Sequence, residues 1–392
     1  MSSSHVSKKQ KTSLSFNEIL EIIKNDNIAQ LLIWLKDGSI PDVNIRSERD
    51  LQYSTLLIMA SQLGKISAVQ LLLKYGALID EENREFDSAV AVACHEGHLD
   101  IVRFLRDKGA DLDDEFNLFT ACQNGHVEVV RFLLDYGADM HSEREGCGTP
   151  LAAACRGNRL EVVKLLIARG ADINNALVGD NEEDYSNPLA AACFANNLEI
   201  VKYLVTAGAD VLIGSPLACL DEENVELISY ALDNGADIDA FSPYSNPLLH
   251  ACESGLVDNV KYLLQRGANV HVCDIVKDKT TPLIYACRTY LRASVLPTIK
   301  VLLDYGADAN DVDAKGDSAL IHLLKTSTSK TADDDLECVR LLLQYGADVT
   351  LTNLAGKTAS SLVEAGSAIW NLLDEYRDQN DRELLAIKPR VK

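Results

Sequence analysis

A short sequence pattern recurs along almost the whole length of this chain, and it limits the folds that the chain can adopt. An amphipathic run closes on a Gly-Ala pair at nine positions: Gly76, Gly109, Gly137, Gly170, Gly208, Gly235, Gly267, Gly306 and Gly346. Seven of the nine pairs are followed by aspartate, and their spacings scatter around the low thirties. A period of this length indicates a stack of similar units, each of which buries its apolar face against its neighbours.

The stretch from Thr149 to Asp172 shows how one unit is predicted to fold. Thr149 can cap a helix, and Pro150 suits the first position because the N–H that proline lacks has no partner there. Small apolar residues from Leu151 to Cys155 then form a short helix that a neighbouring helix can approach closely. A second helix is predicted from Leu160 to Leu166, where apolar residues recur at helical spacing.

These units resemble ankyrin repeats, whose pattern runs Thr-Pro-Leu, Ala-Ala, Gly-His, Leu-Glu-Val-Val, Leu-Leu and Gly-Ala-Asp. Matches include Gly97-His98-Leu99, the run from Gly125 to Val130, and the Pro-Leu pairs that begin at Pro188, Pro216, Pro247 and Pro282. The resemblance implies an all-α repeat solenoid. Each unit would contain a β-hairpin and a helix-turn-helix, and the units would stack into a curved array.

The ends of the stack are predicted to differ from its middle, because an outermost face has no neighbour and needs a polar cover. Ser15 and Glu18 have the spacing of a capping box that opens a divergent first repeat. The predicted organisation is a flexible tail (1–12), an N-terminal capping repeat (13–50), nine repeats (51–351), a C-terminal capping repeat (352–379) and a second flexible tail (380–392). The ankyrin-repeat domain would thus cover residues 13–379.

Three stretches exceed the length of a repeat and are predicted to loop out of the stack. An acidic stretch at 174–187 would extend a hairpin, and the stretches at 289–297 and 326–335 would lengthen the turn between two helices. The sequence leaves open whether these insertions are functional.

The formal net charge of -22 is spread along the chain and argues against nucleic acid and membrane surfaces as partners. The same field favours a protein partner with a basic segment. No signal-peptide pattern and no apolar stretch of membrane-spanning length is found in the sequence, so a cytoplasmic and monomeric protein is predicted. The basic cluster Lys8, Lys9 and Lys11 leaves a nuclear location open.

Seven of the ten cysteines occupy one position of the repeat, just after the small residues of the first helix: Cys94, Cys122, Cys155, Cys193, Cys219, Cys252 and Cys287. Adjacent helices pack about 8–10 Å apart, too far for disulfides or shared zinc ligands. We interpret these cysteines as small buried apolar residues. His98 falls where ankyrin repeats carry a structural histidine, and no metal, cofactor or catalytic residue is predicted.

Members of the family usually hold partners in a concave groove lined by hairpins and by outward positions of the first helices. The corresponding residues here are Gln62, Leu63, His95, Glu96, Gln123, Asn124, Arg156, Phe194, Leu220, Asp221, Glu253 and Arg288. Phe194 and Leu220 are predicted either to form an apolar anchor for the partner or, in the case of Phe194, to fill a gap beside Ala195. The resemblance therefore implies a non-catalytic adaptor or scaffold, with a dedicated inhibitor or assembly chaperone of one partner as the alternative.

Overall fold

The computed structural model describes residues 14–48, 52–84, 87–143, 148–175, 187–213, 216–220, 222–241, 246–274, 278–289, 292–326 and 332–387. These residues contain twenty α-helices and two 3-10 helices, and the helices follow one another in pairs. They contain no β-strand. The predicted hairpins are represented in this part of the chain by isolated antiparallel bridges at Arg46–Thr55, Asp274–Thr280 and Val312–Ser318.

The described part of the N-terminal unit, residues 1–175, contains five helix pairs. They are α1 (Phe16–Lys24) with α2 (Ile28–Lys36), α3 (Leu56–Gln62) with α4 (Ile66–Lys74), α5 (Ala89–Glu96) with α6 (Leu99–Asp107), α7 (Glu115–Asn124) with α8 (Val127–Asp135), and α9 (Pro150–Arg156) with α10 (Leu160–Ala168). First helices contact first helices and second helices contact second helices along the unit. This is the packing expected of stacked repeats.

Among the described residues of the C-terminal unit, 176–392, there are six pairs, two of which begin with a 3-10 helix. They are α11 (Pro188–Phe194) with α12 (Leu198–Thr206), the 3-10 helix Pro216–Cys219 with α13 (Val225–Asp233), α14 (Pro247–Glu253) with α15 (Val257–Gln265), α16 (Pro282–Arg288) with α17 (Arg292–Asp304), α18 (Ala319–Thr326) with α19 (Ala332–Gln344), and the 3-10 helix Ala359–Leu362 with α20 (Ala368–Ile387). Here too, each pair contacts the next.

The local signals in the sequence produce these helices as predicted. The Thr149 hydroxyl accepts a hydrogen bond from the Ala152 amide at 3.3 Å and so caps α9. Ser15 and Glu18 form the predicted capping box at the start of α1. In α10, Val162, Val163 and Leu166 are buried, which confirms the apolar face inferred from the spacing.

The repeated cysteines lie in the core wherever their side chains are described, namely Cys94, Cys122, Cys155, Cys193, Cys252 and Cys287. Burial raises the pKa of Cys94, Cys122, Cys155 and Cys252. Their thiols are therefore protonated at neutral pH and pack as small apolar groups, because the thiolate that would react or bind metal is disfavoured there.

Where the two predicted long turns are described, residues 292–297 lie inside α17 and residues 332–335 lie inside α19. In α17 and α19 the second helix has 13 residues, against 9 in α15, and Pro297 lies inside α17. Buried Val295 anchors the added turn of α17, so the described part of that insertion is helical rather than looped out. Residues 290–291 and 327–331 lie outside the described residues. At the chain end, α20 continues to Ile387, so the boundary predicted at residue 379 falls inside a helix. Most of the acidic stretch at 174–187 lies outside the described residues.

Candidate protein-binding surface

Seven of the predicted partner-binding residues lie at the carboxyl ends of four first helices in the N-terminal unit. These helices, α3, α5, α7 and α9, contact one another in sequence. We call this row the first-helix strip; its members are Gln62, Leu63, His95, Glu96, Gln123, Asn124 and Arg156.

The backbone of the first-helix strip is fixed by hydrogen bonds from the following repeat. The Nε2 of His98 lies 3.1 Å from the carbonyl oxygen of Gln62, and that of His126 lies 2.8 Å from the carbonyl oxygen of His95. Because a carbonyl only accepts, both histidines donate from Nε2. These bonds satisfy carbonyls that a helix end leaves without an intrahelical partner.

In the following repeat, an arginine makes the same hydrogen bond to a helix-end carbonyl. The Nε of Arg159 donates to the carbonyl oxygen of Gln123 at 3.0 Å. The interpretation of His98 as a structural histidine is therefore confirmed, and arginine takes the same role at position 159. As a result, the strip is held along its backbone by contacts that do not use its own side chains.

The side chains of the strip remain accessible. Gln62, His95 and Glu96 are exposed, while the remaining four are half-buried. His95 Nδ1 lies 3.2 Å from a carboxylate oxygen of Glu96. The strip thus presents mainly hydrogen-bonding groups on a rigid backbone, an arrangement suited to binding a polypeptide.

The C-terminal unit places its predicted residues less uniformly. Glu253 is exposed, whereas Phe194 and Arg288 are half-buried. The expectation that Leu220 faces outward is wrong, because its side chain is only 3% exposed. The 3-10 helix before it turns Leu220 into the core, where its carbonyl lies 3.1 Å from Nε2 of His250. Asp221 lies outside the described residues.

Sequence reasoning missed a polar network that joins α16 to the bridge before it. The Tyr285 hydroxyl donates to buried Asp274 at 3.0 Å, and Arg288 donates to the Thr280 hydroxyl at 3.3 Å. Burial and the neighbouring Asp274 carboxylate raise the pKa of Tyr285. Arg288 is therefore engaged within its own repeat, which reduces its freedom to meet a partner.

A similar network at α18 contains two buried carboxylates. Asp313 accepts from Nε2 of His322 at 2.8 Å, and from the amides of Lys315 and Asp317 at 2.8 and 2.9 Å. Asp317 accepts from Asn353 in the next repeat at 2.7 Å and from the ammonium group of Lys325. Although burial opposes it, these amide and histidine hydrogen bonds hold the pKa of Asp313 below its ordinary value.

One oxygen from each of Asp313 and Asp317 and one nitrogen of His322 lie within 4.8 Å of one another, a spacing that could suit a metal ion. Both carboxylates already accept protein hydrogen bonds, and Lys325 supplies a positive charge at Asp317. The donor set therefore fits a structural link between hairpin and helix better than it fits a cation site. The signal that could have located it is histidine and lysine three residues apart on one helix face, after two hairpin aspartates.

Stacked helix pairs of this kind define a repeat protein of the solenoid class. The family model for ankyrin repeats in three copies matches residues 20–116, 118–215 and 271–353, and that for a single ankyrin repeat matches residues 245–275. The chain belongs to the ankyrin-repeat family, whose members form protein–protein interaction modules.

Several curated proteins are similar in sequence to part of this chain. Human "Ankyrin repeat and SOCS box protein 6" is 37% identical over 106 residues, which is 27% of this chain and 24% of that protein. A Drosophila melanogaster protein, "Transient receptor potential channel pyrexia", is 37% identical over 98 residues, or 25% of this chain and 9% of that protein. The chain thus spans about a quarter or less of the length of these relatives.

Among solved structures, the human ASB11 ankyrin repeat domain matches with 21% identity and a TM-score of 0.41, over 66% of this chain and 96% of that one. Within the described residues, no helix is both long enough and apolar enough to cross a membrane.

Proposed function

We propose that this protein is a non-catalytic adaptor that binds a segment of a partner protein along the first-helix strip. The observation that carries the proposal is the row of accessible side chains on a backbone that the next repeat holds in place. A surface that is already ordered loses little conformational entropy when a partner binds. The affinity then depends on a few well-placed side chains.

The charge of the protein favours a partner segment with basic residues. The chain carries a net charge of -22, and Glu96 adds an exposed carboxylate in the middle of the strip. A negative field attracts a basic segment and speeds its association, while it disfavours acidic competitors.

The experiment compares capture of partners by two charge-matched variants. In the strip variant Gln62→Lys is combined with Glu96→Lys, and in the control variant Gln70→Lys is combined with Glu128→Lys on the second helices α4 and α8. All four residues are exposed, so both variants should fold. Proteins retained from a lysate of the cells that express this protein are identified, and the affinity of each is then measured with purified components.

We expect a partner that binds the wild type and the control variant with similar affinity and the strip variant at least about tenfold more weakly. Circular dichroism and thermal unfolding establish that both variants are folded. If the strip variant bound as tightly as the wild type, the partner would not use the strip. If both variants lost affinity equally relative to the wild type, only the net charge of the protein would matter.

A further inference from the structure

A second candidate site lies on the second helices α6 and α8, away from the ends of the first helices. A pocket of about 630 Å³ is lined there by Arg103, Arg106, Phe132, Asp135 and Tyr136. Arg103 and Arg106 lie three positions apart on α6 and therefore share one face of the helix. The pocket is largely open to solvent, so it suits a side chain of a peptide that lies across the surface rather than an enclosed small ligand.

Two aromatic rings orient the guanidinium groups. The Arg106 guanidinium lies 4.1 Å from the centroid of the Tyr136 ring and 5.5 Å from that of Phe132, and the Arg103 guanidinium lies 5.4 Å from the Phe132 centroid. The two rings pack against each other with centroids 4.6 Å apart. A guanidinium that rests on a ring keeps the N–H groups at its edge available for bidentate contact with a carboxylate.

Of the two arginines, Arg106 has an acidic partner and Arg103 has none among the described residues. Asp135 lies 3.0 Å from Arg169 of the next repeat, and Asp107 lies 2.5 Å from a terminal nitrogen of Arg106. In the described part of the chain, Arg103 has no ion pair and is exposed, so its guanidinium group is accessible to a ligand.

We propose that this pocket binds a carboxylate side chain of an acidic peptide segment, which Arg103 would hold in bidentate contact beside the positive charge of Arg106, while apolar neighbours of that side chain pack on Tyr136. Charge complementarity is local, since the chain as a whole carries -22. That field repels a long polyanion, which favours a short segment with one or two carboxylates over nucleic acid. The site is independent of the first-helix strip, and its failure would leave the proposed function unaffected.

The test uses a short fluorescein-labelled peptide in which two glutamates alternate with leucine, and its glutamine-for-glutamate counterpart, in anisotropy titrations with the full chain. We expect the glutamate peptide to bind at least about tenfold more tightly than the glutamine peptide. Arg103→Gln should weaken the binding by at least about tenfold. Arg103→Lys should also weaken it, because it keeps the charge but loses the planar donor pair.

The matched control is Arg131→Gln, which removes an exposed arginine of α8 that lies 3.7 Å from Glu128 and does not line the pocket. This variant should bind the glutamate peptide within about twofold of the wild type. Three results would overturn the proposal: equal binding of the two peptides, an equal loss in Arg131→Gln, or a phosphoserine peptide of the same length that binds more tightly than the glutamate peptide.

Discussion

Burial lowers the pKa of His322 from its ordinary value of 6.5, although Asp313 and Asp317 lie beside it and act in the opposite direction. The imidazole is therefore neutral at pH 7, with its Nε2 proton directed to Asp313. In the unfolded chain the same side chain binds a proton more readily. Since the unfolded state then holds more protons, the free energy of unfolding must fall as the pH drops below 6.5.

We predict that His322→Gln makes the stability less dependent on pH. Glutamine can still donate to Asp313 but does not titrate, so the contribution lost from the wild type below pH 6.5 disappears. Urea unfolding midpoints at about pH 7.5 and about pH 5.5 measure the effect, and His141→Gln, at an exposed histidine, is the control. A pH dependence that is the same in His322→Gln and in the wild type would contradict this account.

At the scale of the elements, the inter-helix turn is one of the places where successive repeats approach each other closely. Gly97 follows α5 with φ of +82°, and a Cβ atom placed there would lie 2.3 Å from Nδ1 of His126 in the next repeat. Gly137, which follows α8, has φ of +96° but nothing within 4 Å of the same added atom. The two glycines therefore share their backbone conformation and differ in the space around them.

Alanine substitutions at these two glycines separate the cost of backbone strain from the cost of a steric clash with the next repeat. Gly137→Ala should cost about 1–2 kcal/mol, the ordinary penalty of a left-handed conformation for a residue with a Cβ atom. Gly97→Ala should cost a further 1–3 kcal/mol or so, because His126 must move and weaken its bond to the His95 carbonyl. Equilibrium urea unfolding of both variants measures the difference. Equal losses would mean that the turn tolerates the displacement of His126.

The sequence alone is sufficient to predict features that depend only on residues close together in the chain. The helix pair of residues 150–168 follows from a cap, a proline and apolar spacing, all of which act within a few residues. The extension of α17 was not predictable in this way, since it depends on burial of Val295 in the core. The burial of Asp313 could not be predicted from the sequence either, because carboxylates in hairpins are solvated in most proteins. Its burial is explained by its hydrogen-bond partners, such as His322, which lies nine residues further along the chain.

At the scale of the whole molecule, stability is expected to be a sum of local terms rather than the property of one core, because within each of the two units every repeat packs on its sequence neighbours. The two tryptophans of the chain report on its two ends: Trp34 lies in α2 of the N-terminal unit and Trp370 in α20 of the C-terminal unit. Single-tryptophan proteins, made with Trp34→Phe or Trp370→Phe, therefore follow the unfolding of each end separately.

We predict that Gly97→Ala lowers the urea midpoint reported by Trp34 more than that reported by Trp370, because the strained turn lies in the N-terminal unit. The reciprocal variant is Tyr285→Phe, which removes a hydrogen bond to buried Asp274 and should lower the Trp370 midpoint more. Each loss of about 1–3 kcal/mol is large enough to resolve by fluorescence. If both tryptophans shifted equally in both variants, the chain would unfold as one cooperative body, and the additive description of its repeats would have to be abandoned.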